Sequence, residues 1–165
     1  MKEPVYDLDD MLQLAADYAE EILLKRHRKS LVPVWLMISR KGKSFIISAG
    51  WKNDKEKYAA EYALRKTMRK WDIVAYSMVT EAWLSVRTPV EGFENLTWPN
   101  MRPSQDPARK EVVMALATNG KERRWRQWGI VRDYNERIIK LEPQELISDQ
   151  MESWMAELLD KEETN

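Results

Sequence analysis

Apolar residues recur three and four apart from the start of the chain, at Leu8, Met11, Leu12, Ala15, Ala19, Ile22 and Leu23. That spacing predicts an amphipathic helix over about Asp7 to Arg26. Asp7, Asp9 and Asp10 suit its positive N-terminus, and Lys25, Arg26 and Arg28 suit its negative end. The period then falls to two. Val34 to Arg40 and Ser44 to Ala49 read as strands joined by the turn Lys41-Gly42-Lys43, a β-hairpin. Asn53 and Glu56 have capping-box spacing, so a second helix should open there. It runs to about Lys70 with Tyr58, Ala60, Tyr62, Leu64 and Met68 available for burial.

Ile73 to Arg87 predicts a long strand with two unlike faces. Val74, Tyr76, Met78, Thr80, Ala82, Leu84 and Val86 form the expected core face; Ile73, Ala75, Ser77, Val79, Glu81, Trp83 and Ser85 point the other way. Residues 88–109, with Pro89, Pro99, Pro103 and Pro107, are irregular, and loops of that length are usually functional or mobile. Strands should follow at Glu111 to Thr118, Arg124 to Arg132 and Arg137 to Leu141, joined by turns at Asn119-Gly120 and Asp133 to Glu136. A last helix is expected over Ser148 to Lys161, capped by Ser148. The sum is a single α+β domain over residues 1–165, with an antiparallel or mixed sheet of about five to six strands and three helices on one face, in the order αββαββββα.

Composition changes this picture mainly by exclusion. The chain has no cysteine, which removes disulfides, thiolate metal sites and thiol nucleophiles. No apolar signal region follows the first residues and no long apolar run occurs, so no membrane association is expected and the cytoplasm is the expected location. Charged residues make up 33% and hydrophobic ones 44%, with eight Trp, a balance suited to a packed domain. The formal net charge of zero hides a segregation. Residues 1–21 hold one Lys against seven acids, residues 22–140 hold 25 Lys and Arg against 12 acids, and residues 141–165 hold one Lys against eight acids. Either the basic middle faces an acidic partner, or the acidic ends neutralise it within the monomer.

Candidate chemistry is sparse. The five glycines are scattered, so no phosphate-cradling loop can be drawn. His27, inside Lys25-Arg26-His27-Arg28-Lys29, is surrounded by cations that disfavour its taking a proton, and a solvated helix end is the better reading. Glu81 falls mid-strand and Glu111 on the analogous face of another strand. As neighbours they could bind a divalent ion or divide into acid and base, or they could be ion-pair acceptors for Arg87, Arg109 or Lys110. The Glu-x-Lys of a restriction-type nuclease core is missing. Arg123, Arg124, Trp125, Arg126 and Trp128 interleave cations with aromatics, as a strip that grips phosphates and stacks a base would; the alternative is a Trp125 in the core and arginines paired with the acidic termini. Arg65, Lys66, Arg69 and Lys70 form a second basic row, on the second helix.

Val79-Thr80-Glu81-Ala82-Trp83 followed by Arg102-Pro103-Ser104-Gln105-Asp106-Pro107-Ala108-Arg109-Lys110-Glu111 resembles a pattern in small uncharacterised bacterial and phage proteins. The resemblance covers about the middle third of the chain, implies no activity, and singles out Glu81, Ser104, Asp106, Arg109 and Glu111. Asp106-Pro107 is also a turn starter, which accounts for the segment without catalysis. The expected function is that of a non-enzymatic accessory protein of bacterial or phage origin. It would bind a protein or nucleic acid through the basic middle, with Arg102, Arg109 and Arg123 to Trp128 as contacts and without cofactor or metal. The alternatives are a metal-assisted hydrolase using Glu81 and Glu111, and a structural subunit that self-associates through a Trp-rich surface.

Overall fold

The computed structural model describes residues 6–28, 30–84, 110–144 and 154–159. The first helix, α1, spans Leu8–Glu20 and is capped by the Asp7 carboxylate, which accepts from the Asp9 N–H at 2.8 Å. Its buried residues are Leu8, Met11, Leu12, Ala15, Ala16 and Ala19, the face that the spacing predicts. It widens into a π-helical turn, Glu21–Lys25, which stops at His27, an exposed residue in the left-handed region at φ 53°.

Strands β1 (Val34–Ser39) and β2 (Ser44–Ser48) form the expected hairpin, with Gly42 in the turn at φ 83°. The second helix, α2, spans Asp54–Lys70. Asn53 caps it by accepting from the Glu56 N–H at 2.9 Å, while the Glu56 carboxylate reaches back to the Lys52 N–H at 2.7 Å. Then come β3 (Ile73–Leu84), β4 (Lys110–Thr118), β5 (Arg123–Arg132) and β6 (Ile138–Gln144). Asn119 organises the β4–β5 turn, its side chain accepting from the N–H groups of Lys121 and Glu122. Asp133 plays the same part before β6, accepting from Asn135 and Arg137.

The fold class is α+β, and the six strands form one antiparallel sheet in the order β2-β1-β3-β4-β5-β6. The β1–β3 pairing, with Val34 opposite Val79, joins the hairpin to the meander. Helix α2 carries the chain between β2 and β3 and lets β3 pair with the inner strand of the hairpin.

Three expectations need correction. Helices cover both faces of the sheet. Helix α1 lies on β3, β4 and β5, over Ala75, Val79, Val113, Ala115 and Ala117. Leu64 and Met68 of α2, with Ala156 and Leu158, cover Trp35, Met37, Tyr76, Met78, Leu116 and Trp125 on the other face. Both faces of β3 are therefore core: Ala75, Tyr76, Met78 and Val79 are each fully buried.

The second correction concerns the last helix. Of the helix expected over Ser148 to Lys161, residues 148–153 with the Ser148 cap and residues 160–161 lie outside the described residues; the described part makes a single 3-10 turn, Trp154–Ala156, and residues 157–159 are not helical. Tertiary bonds take the groups a helix would have used. The Tyr76 hydroxyl donates to the Met155 carbonyl and accepts from the Leu158 N–H, and Arg65 donates to the Glu157 carbonyl at 2.7 Å. The molecule has two helices in its described residues, not three.

Third, Tyr58 and Tyr62 are not core. They are 67% and 71% exposed, because α2 meets the sheet only through the stripe containing Leu64 and Met68.

Candidate functional site

Alternation along β5 splits the expected aromatic–cation strip between the two faces. Arg124, Arg126 and Trp128 lie beneath α1; Arg123, Trp125 and Gln127 lie on the α2 side. Asp9, in the first turn of α1, receives Arg124 Nη1 at 2.6 Å on one carboxylate oxygen and Arg126 Nη2 at 3.3 Å on the other. Trp128 is half-buried against the α1 core. On the opposite face Trp125 is buried, Gln127 donates to Gln144 at 2.6 Å, and Arg123 lies 3.7 Å from Glu157. Acids from both ends of the chain thus meet this strand from opposite sides. Arg102, Arg109, Ser104 and Asp106 lie outside the described residues.

Glu81 and Glu111 do come together. Glu81 pairs with Val113 across β3–β4, which makes Glu111, two positions away on the same face, its diagonal neighbour. The guanidinium of Arg132 forks Glu111, with Nε 2.6 Å from one oxygen and Nη2 3.1 Å from the other, and donates a third bond to the Glu136 carbonyl at 2.8 Å. Of the cations that the sequence offers these acids, Arg87 and Arg109 lie outside the described residues; Arg132 reaches Glu111 because β5 lies beside β4 on this face. Burial first, and the Glu111 charge second, push the Glu81 carboxyl above the ordinary glutamate range, against the pull of Arg132 and of the Leu31 N–H. One buried Glu81 oxygen has no hydrogen-bond partner. Among the described residues no three acid or histidine side chains gather to hold a metal ion, and beside Glu111 the compensating cation is Arg132.

The basic row of α2 is legible in the sequence; the tyrosines exposed beside it and the hairpin lysines next to its end are not. Tyr58 and Tyr62 stand one turn apart on the outer face of α2, and the helical period places Lys55, Lys66 and Arg69 on the same side. Lys66, Arg69 and Lys70 are exposed, whereas Arg65 turns inward to Glu61 and the Glu157 carbonyl. The C-terminal end of α2 is pinned to the β1–β2 hairpin. Trp71 stacks on Phe45 with centroids 4.3 Å apart, and Arg40 Nε meets Asp72 at 3.1 Å. This brings the exposed Lys41 and Lys43 of the turn beside the basic end of the helix. One signal was legible: apart from Leu64 and Met68, α2 offers no long aliphatic side chain to bury, so its tyrosines had little reason to face inward.

No described tryptophan side chain is exposed; Trp35 and Trp125 are buried and Trp51, Trp71 and Trp128 are half-buried. Among the described residues no helix is long and apolar enough to cross a membrane. Comparison with protein-family models, curated proteins and solved structures finds no match to this chain.

Proposed function

We propose that this chain is a non-enzymatic accessory protein that binds nucleic acid through its basic central region, with the outer face of α2 and the adjoining β1–β2 turn as the contact surface. The observation that carries the reading is the exposure of Tyr58 and Tyr62 on the same helical face as Lys66 and Arg69, beside Lys70, Lys41 and Lys43. Cations that follow a phosphate backbone, next to aromatic rings on which bases stack, are the two ingredients of sequence-tolerant single-strand binding. The row at the end of α2 also complements the helix dipole, but that role requires neither the tyrosines nor the hairpin lysines. Arg124 and Arg126 contribute less, because Asp9 already receives them.

The test is titration of a generic single-stranded oligonucleotide at low and at physiological salt. Binding should weaken steeply with salt as counterion release is lost. Combined Lys66→Glu and Lys70→Glu should abolish it, and Tyr58→Ala with Tyr62→Ala should reduce it by about tenfold or more, the scale of one or two stacked bases. No binding at low salt, or binding untouched by these four substitutions, would rule the surface out as a nucleic-acid site.

A further inference from the structure

The two edges of the sheet are built differently. Strand β6 carries Lys140, Glu142 and Pro143, and its pairing with β5 is irregular at Val131/Arg132. Charge, proline and bulge are the devices that keep an edge from pairing with another chain. Strand β2 has none of them: Ser44-Phe45-Ile46-Ile47-Ser48 is uncharged, lacks proline and glycine, and pairs with β1 in unbroken register. Among the described residues β1 is its only strand neighbour.

The ladder fixes which groups face outward. The Ser39 N–H bonds the Lys43 carbonyl at 2.8 Å and the Ala49 N–H bonds the Pro33 carbonyl at 3.0 Å, so odd-numbered residues of the strand exchange bonds with β1. Ser44, Ile46 and Ser48 therefore direct their N–H and C=O groups away from the sheet. Their side chains share the face over which α1 lies, yet α1 sits on β3 to β5, and Ile46 remains 65% exposed.

We infer that β2 pairs antiparallel with β2 of a second copy of this chain, about a two-fold axis at Ile46, joining two sheets into one. The strand is self-complementary in that register. Ile46 meets its own equivalent, Ser44 of one copy meets Ser48 of the other, and Phe45 meets Ile47 on the opposite face. All outward-pointing groups of the three residues find partners. Charge permits the register too: Lys43 falls opposite Ala49, so no two cations are set directly against each other. Two five-residue strands bury less than the roughly 800 Å² per partner of a standard interface, so the association should be concentration-dependent. The axis stands normal to the sheet and places both copies of α2 on one side.

Because the natural chain has no cysteine, an introduced one reports a single contact. In a hydrogen-bonded antiparallel pair the Cα atoms lie about 5.5 Å apart, within disulfide range. Ile46→Cys should give a covalent dimer under mild oxidation, whereas Ile139→Cys, 58% exposed on the guarded edge strand, should stay monomeric. By sedimentation velocity the natural chain should shift toward dimer as concentration rises. Ile46→Lys should remain monomeric with an unchanged circular dichroism spectrum, since Ile46 supports little of the core. A natural chain that is monomeric at every concentration, a dimer that survives Ile46→Lys, or equal cross-linking of the two cysteine variants would overturn the inference. None of these outcomes bears on nucleic-acid binding by α2.

Discussion

Under α1 the sheet is lined by Ala75, Ser77, Val79, Ala115 and Ala117, and the helix answers with Ala15, Ala16 and Ala19. Across the same strands the other face presents Trp35, Met37, Tyr76, Met78, Leu116 and Trp125, while α2 buries only Leu64 and Met68. Small residues let a helix approach closely and leave little volume to fill. Large ones fill the space beneath a helix that covers the sheet sparsely, with the C-terminal segment closing the remainder. Interiors reach the same density by either route, but the routes fail differently.

The sharpest way to break this comparison is to reverse the sizes. Trp35→Ala, emptying a fully buried site on the aromatic face, should cost about 4 kcal/mol. Ala115→Leu, overfilling the alanine face, should cost about 2 to 3 kcal/mol, whereas Leu116→Met, its neighbour facing the other way, should cost less than about 1.5 kcal/mol. Urea midpoints would check all three, and equal costs for the variants at 115 and 116 would erase the distinction between the faces.

A smaller effect is expected where the aromatic face depends on one hydroxyl. Tyr76→Phe keeps the ring but removes the group that bonds Met155 and Leu158, so about 1 to 2 kcal/mol should be lost. Hydrogen exchange should also become faster at Leu158. Unchanged protection there would mean that apolar packing of Ala156 and Leu158 holds the segment without the phenol.

The smallest effect concerns the polar corner of the α1 face. The raised Glu81 carboxyl keeps its proton to higher pH in the folded state than in the unfolded chain. Its contribution therefore favours folding at acid pH and fades as pH rises from the ordinary glutamate value, about 4.3, through the raised folded value. Glu81→Gln, neutral throughout, should flatten that part of the stability–pH curve and be at least as stable as the natural chain at neutral pH. An identical slope in the variant would show that Glu81 is not the titrating group. Arg132→Ala should have the opposite effect at neutral pH, since it removes the guanidinium that bonds Glu111 beside Glu81.

The periodicity of the chain by itself determined α1, the β1–β2 hairpin, α2 with its Asn53 cap, the strand β3, and the turn-linked strands β4, β5 and β6, because local spacing, caps and turn residues specify such elements without distant contacts. It also placed Glu81 and Glu111 on analogous faces of their strands. That β3 lies between β1 and β4 was decided only in three dimensions. The register that sets Glu111 two positions from the partner of Glu81 also brings Arg132 onto it. The outward turn of Tyr58 and Tyr62 depended on how α2 sits against the sheet, and residues 154–159 make a 3-10 turn and irregular chain where spacing allowed a helix because Tyr76 and Arg65 offered their backbone other partners. Local periodicity says that a residue has an apolar or polar side to satisfy; only packing supplies the group that satisfies it.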